Sequence, residues 1–67
     1  MRGLKNLRRK NTMTQEDLAQ KLGVTQSMVA KWEAGASYPR GEMLFRLANV
    51  LNCSIDELFG REPRNSA

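Results

Sequence analysis

Between Thr14 and Gly35 the sequence starts and stops a helix twice, TQEDLAQKLG and then TQSMVAKWEAG, with only Val24 between them. Thr14 and Thr25 suit the N-cap position, where a hydroxyl accepts from an orphan backbone N–H. Asp17, three residues after Thr14, makes an approximate capping box, and Glu16 with Asp17 complements the positive end of the helix dipole. Leu18, Ala19 and Leu22 then line one face. Gly23 and Gly35 stop the two helices, because glycine readily takes the left-handed conformation a helix C-terminus uses. A connection of about three residues is too short for an easy antiparallel return and suits two helices crossing steeply.

The rest of the chain reads as helix as well. Leu4 and Leu7 lie three apart in a first segment of about 2–11. Ala36-Ser37-Tyr38-Pro39 is a loop. Met43, Leu44, Leu47, Ala48 and Leu51 recur at helical spacing in a fourth segment, about Gly41–Leu51, with Asn52 as a left-handed terminator. Ser54 caps a short fifth helix, Ile55–Phe59, with Asp56 and Glu57 in its first turn, and Gly60 closes it. No alternating strand pattern and no repeat is present. The expected fold is therefore all-α, a compact five-helix domain over residues 1–60. The polar tail 61–67, lacking an apolar anchor, is expected to be disordered.

A chain of 67 residues buries a smaller share of its surface than a larger domain does, so its margin of stability is thin. Its one cysteine, Cys53, cannot form an intramolecular disulfide and reads as a small buried hydrophobe. With no histidine and no Cys-x-x-Cys spacing, no metal site is expected. Nor is an enzyme expected. There is no phosphate-cradling glycine loop, the cysteine has no histidine partner, and there is little room for a pocket, so neither a cofactor nor a small-molecule ligand is anticipated. No apolar run approaches the roughly 18 to 20 residues of a membrane span, and the N-terminus lacks the apolar core of a signal peptide. The expectation is a soluble, cytoplasmic protein.

The net charge of +4 has the sign a nucleic-acid partner favours. Arg2, Lys5, Arg8, Arg9 and Lys10 fall in the first ten residues with no acid among them. This describes a solvated basic face as well as a phosphate-contacting one. The third helix is more informative. At about 100° per residue, Gln26, Ala30, Ser27 and Lys31 fall within roughly 140° of arc, while Met28, Trp32, Val29 and Glu33 occupy the other side. Docked by Val29 and Trp32, the helix points Gln26, Ser27 and Lys31 outward. Glutamine can bond bidentately to the adenine major-groove edge, lysine can donate to guanine, serine pairs with several edges, and Ala30 leaves room for a thymine methyl. Polar residues on the outside of any surface helix give the same pattern.

Leu4, Leu7-Arg8, Thr14-Gln15, Leu18-Ala19, Leu22-Gly23-Val24, Val29, Trp32-Glu33 and Gly35 together form a recognisable set. Pro39, Leu44, Leu47-Ala48, Leu51 and Ile55-Asp56-Glu57-Leu58 extend it. Over residues 4–59 the chain resembles the lambda-repressor-like, Cro/C1-type (XRE family) helix-turn-helix regulators of bacteria and phages. The resemblance implies a transcriptional regulator, expected to be a repressor, binding double-stranded DNA as a homodimer on a near-palindromic operator. An antitoxin or anti-repressor that uses the same scaffold for protein contact is the alternative. It also implies roles for particular residues. Thr14 and Gln15 meet the DNA backbone at the N-terminus of helix two, a position that attracts phosphate. Thr25, Gln26, Ser27, Ala30 and Lys31 are recognition-helix positions. Arg40 reaches backbone or minor groove, although Arg40-Gly41 departs from the family's small polar cap and leaves the start of helix four open. Arg8 is expected to pair with Glu33, a structural role, which leaves Arg9, Lys10 and Lys21 as exposed phosphate candidates. Val50 and Phe59 either make a two-fold contact or finish the core, and Tyr38 either bonds phosphate or packs the turn.

Overall fold

A computed structural model describes residues 1–60. The expected disordered tail 61–67 lies outside the described residues. Five helices follow in order, α1 Leu4–Lys10, α2 Gln15–Leu22, α3 Gln26–Ala34, α4 Gly41–Leu51 and α5 Ile55–Leu58. Three of them start on a side-chain hydroxyl. Thr14 Oγ1 accepts from the Asp17 N–H at 3.0 Å while Asp17 accepts from the Thr14 N–H at 3.0 Å, a full capping box. Ser54 and Glu57 repeat it at 3.1 and 3.0 Å, and Thr25 Oγ1 accepts from the Met28 N–H at 3.2 Å. The stops are equally local. Gly23 and Gly35 have φ of 72° and 78°, and Asn52 has φ of 51°. Past each, the next N–H reaches back across the last turn: Val24 to Ala19 O, Ala36 to Lys31 O, Cys53 to Ala48 O.

Among the described residues seven side chains are fully buried: Leu4 of α1, Leu18 and Leu22 of α2, Val29 of α3, Leu47 and Leu51 of α4, and Leu58 of α5. Every helix therefore contributes to one core and depends on the others to bury its apolar face. Each such leucine contributes about 1.5–3 kcal/mol of burial. Trp32, Ala19 and Ala48 complete the buried apolar set among the helices, and Leu7, Met43 and Leu44 pack half-buried against it.

Three expectations need correction. The first helix begins at Leu4 rather than Arg2, because Met1–Gly3 are drawn sideways against other elements. The Gly3 N–H donates to Leu58 O at 3.0 Å, and the Met1 amino group donates to Trp32 O at 2.6 Å. The Met1 side chain enters the core, leaving the residue 5% exposed. A Cβ on Gly3 would lie 1.9 Å from the Glu57 carbonyl oxygen, so only glycine permits this approach to α5. The fifth helix ends at Leu58, with Phe59 as its C-cap. Cys53 is half-buried rather than buried. Burial, with the Glu57 charge adding, pushes its thiol upward. Among the described residues no helix is long and apolar enough to cross a membrane.

Candidate nucleic-acid interface

The orientation of α3 follows from its two anchors. Val29 is 0% and Trp32 3% exposed, so the opposite arc faces solvent: Thr25, Gln26, Ser27 and Lys31 are exposed and Ala30 is half-buried between them. Met28, placed by the wheel on the apolar side, is 38% exposed, because it lies at the edge of that arc in the first turn, beyond the cover of the core. Glu33, on the inward side as expected, is drawn toward α1.

There Arg8 Nε donates to Glu33 Oε2 at 2.6 Å, and Arg8 Nη2 reaches Glu33 Oε1 at 3.5 Å. The side chains of the pair are only 10% and 8% exposed. Arg8 Nη1 also donates to Met13 O at 2.7 Å, which ties the α1–α2 turn to the pair. The Arg8–Glu33 ion pair implied by the resemblance is thus present, and it removes Arg8 from the phosphate candidates. Burial pushes the Glu33 carboxyl up, but hydrogen bonds from Arg8 and Gln15 and the charges of Arg8 and Lys5 outweigh it. The group is held below the usual carboxylate range.

Gln15, the first residue of α2, is half-buried and uses both ends of its amide. Its Nε2 donates to Glu33 Oε1 at 3.0 Å, and its Oε1 accepts from Gln26 Nε2 at 3.3 Å. A continuous relay therefore runs Arg8–Glu33–Gln15–Gln26, from inside the fold to the exposed start of α3. Reading the residues singly missed these links. The repeated Thr-Gln pair, at 14–15 and 25–26, is the signal that could have found them: it puts a glutamine first in each of two helices whose N-termini lie side by side.

Thr14, Gln15 and Gln26 meet around one open hollow between the α1–α2 turn and the start of α3, together with Arg9 and Thr12. The Thr14 and Thr25 hydroxyl oxygens are occupied as caps, but each hydroxyl retains a hydrogen to donate. Ser27, Lys31 and Arg40 do not line this hollow. Ser27 and Lys31 continue the exposed arc of α3, and Arg40 stands exposed at the N-cap of α4 with no side-chain cap bond. Arg9, Lys10 and Lys21 are exposed. Tyr38, 57% exposed, stacks on Phe59 with ring centroids 6.3 Å apart at 23°. Val50 and Phe59 are half-buried, and Phe45 of α4, unremarked in the sequence, is 61% exposed.

A family described as helix-turn-helix matches residues 4–58 of the chain. The chain is 46% identical over 59 residues to the regulator DicA of Escherichia coli, covering 85% of this chain and 44% of DicA. It is 38% identical over 58 residues to RstR, a transcriptional repressor of a cryptic phage in Vibrio cholerae, covering 87% of this chain and 52% of RstR. To BcrR, a transcriptional activator of Enterococcus faecalis, it is 39% identical over 59 residues, covering 88% of this chain and 29% of BcrR. The chain thus spans between about a third and a half of these relatives' lengths. A transcriptional regulator from Listeria innocua has a similar crystal structure, with a TM-score of 0.76 and 33% identity over 96% of this chain and 62% of that one. These relatives are named as regulators of transcription, not as enzymes.

Proposed function

This chain belongs to the Cro/C1-type helix-turn-helix family of transcriptional regulators, and on that premise we propose that it binds double-stranded DNA sequence-specifically, with α3 in the major groove. The observation that carries the reading is the anchoring of α3: Val29 and Trp32 are sealed in the core, so Gln26, Ser27 and Lys31 face outward as one reading edge. Gln26 and Lys31 contact bases, Ser27 and Ala30 allow close approach, and Thr14, Gln15 and Thr25 donate to phosphates. Arg40 takes the backbone or the minor groove beside them.

Residues 1–60 are the DNA-binding domain in this reading. Two copies meet in an isologous contact through Val50 and Phe59, which sets two α3 helices about 34 Å apart on a near-palindromic operator. Occupancy of such a site suffices for repression, whereas activation needs a further contact with the transcription machinery. The protein acts in the cytoplasm and needs no cofactor or small-molecule ligand for binding. Phosphate neutralisation supplies most of the affinity and makes it fall steeply with salt.

Selection of binding sites from random duplexes tests the whole reading, because it returns sequence preference, symmetry and half-site spacing together. On the selected site, Lys31→Ala is expected to weaken binding more than on random DNA, and Arg9→Ala to weaken both alike. Proportional weakening by Lys31→Ala would remove its base-reading role. Failure to bind any duplex at low salt would overturn the proposal and leave the scaffold a protein-interaction module.

A further inference from the structure

We infer that Glu33, which lies behind the reading edge, is a positioning residue that decides which way round the amide of Gln26 is held, and so selects adenine over guanine opposite it. The inference rests on the reading of α3 as the base-contacting helix.

Donors and acceptors set the polarity along the relay. An ionised carboxylate can only accept. Glu33 Oε2 is taken by Arg8 Nε, and Oε1 accepts from Gln15 Nε2 at 3.0 Å. Gln15 must therefore turn its NH2 toward Glu33, which leaves its oxygen facing Gln26. Gln26 must in turn offer its NH2 to that oxygen, as it does at 3.3 Å. One N–H and the carbonyl oxygen of Gln26 remain for the groove. This is the donor–acceptor pair that adenine N7 and N6–H2 require. With the relay reversed, Gln26 would spend its oxygen on Gln15 and show two N–H donors, a match for guanine O6 and N7. The polarity is enforced from the buried end, where Arg8 holds the acceptor in place.

Glu33→Gln reverses the relay. The Arg8 guanidinium demands the oxygen of the introduced amide, so the new NH2 faces Gln15, whose oxygen turns to meet it, and Gln26 is inverted. Adding Gln15→Glu restores an acceptor-only group beside Gln26, and with it the original polarity, whatever the added charge does to phosphate affinity.

The experiment first uses site selection with the intact chain and with Gln26→Ala to find the base pair that Gln26 reads. Competing duplexes with A·T or G·C at that position are then bound by each variant. The adenine-to-guanine preference is expected to fall roughly fivefold or more in Glu33→Gln and to return in the Gln15→Glu, Glu33→Gln double variant. Both duplexes compete for the same folded molecules, so lost stability alone does not move this ratio. Should Glu33→Gln not fold, Glu33→Asp keeps the charge beside Arg8 but shortens its reach to Gln15, and it too is expected to lower the preference. An unchanged ratio in a folded Glu33 variant overturns the inference, as does a lowered ratio that the double variant fails to restore. If Gln26→Ala changes preference at no position, base reading by Gln26 itself is wrong and the inference falls with it.

Discussion

Helices α2 and α3 begin on threonine hydroxyls and end on left-handed glycines, so their limits are set within a few residues of chain. Helix α1 has neither device. No side chain caps it, its first turn holds no acid, and its position depends on distant partners. Gly3 N–H bonds Leu58 O, Met1 N bonds Trp32 O, Arg8 holds Glu33, and Asn11 Nδ2 donates to Leu51 O at 3.1 Å. Damage should therefore behave differently in the two regions. A lost cap should fray one helix end, whereas a lost tie of α1 should loosen three elements at once.

The largest test of that contrast is Arg8→Ala. Removing one partner of a buried ion pair leaves the other uncompensated, and the expected loss is about 3–5 kcal/mol, measured by chemical denaturation. In so small a domain that is a large fraction of total stability. A loss below about 1 kcal/mol would show that the pair is not what holds α1. Gly3→Ala comes next. Its methyl group cannot share space with the Glu57 carbonyl, so the N-terminal residues must move off α5, with an expected cost of about 1–3 kcal/mol. Hydrogen exchange should show the loss concentrated in α1 and α5. Thr25→Ala is expected to cost about 1 kcal/mol and to leave α1 untouched, with faster exchange at the Met28 amide as its mark. Arg40→Ser runs the comparison in reverse by giving α4 the cap it lacks. A gain of up to about 1 kcal/mol is expected, together with weaker binding to all DNA sequences.

The smallest effect is on pH. The Asp17 and Glu57 carboxyls are lowered by hydrogen bonds from the backbone and then the side chain of their capping partners, Thr14 and Ser54. Glu33 is lowered despite burial. A carboxyl whose pKa is lower folded than unfolded stabilises above its unfolded value, and that contribution is lost as pH falls through the folded value. The denaturation midpoint is therefore expected to be level near neutrality and to drop only as pH falls through and below the ordinary carboxylate range. Asp17→Asn should remove part of that drop at the α2 cap.

What could be read in advance divides along the same line. The starts of α2, α3 and α5 and the stops at Gly23, Gly35 and Asn52 are local chemistry and were legible, as was the inward anchoring by Val29 and Trp32. The sideways course of Met1–Gly3 was not, because a glycine pressed on a carbonyl from α5 looks, in sequence, like any glycine. Met28 was misjudged because periodicity gives an angle around the helix but not how far the core extends along it. The individual candidate residues of the interface were legible by type. Their coupling through Gln15 was not, since it depends on two helix N-termini meeting in space.

Between α1 and α2 the chain turns through Asn11 and Thr12. Thr12 sits at φ 59°, a backbone state that a β-branched residue occupies at a cost of about 1–3 kcal/mol. The Arg8 guanidinium on Met13 O and the Met13 N–H on Arg8 O clamp the chain on either side of it. The domain thus keeps an unused reserve at one exposed position, which glycine or asparagine would release without disturbing the core. Because Thr12 also borders the hollow at Gln15 and Gln26, whatever replaces it stands beside the proposed contact residues as well as in the strained turn.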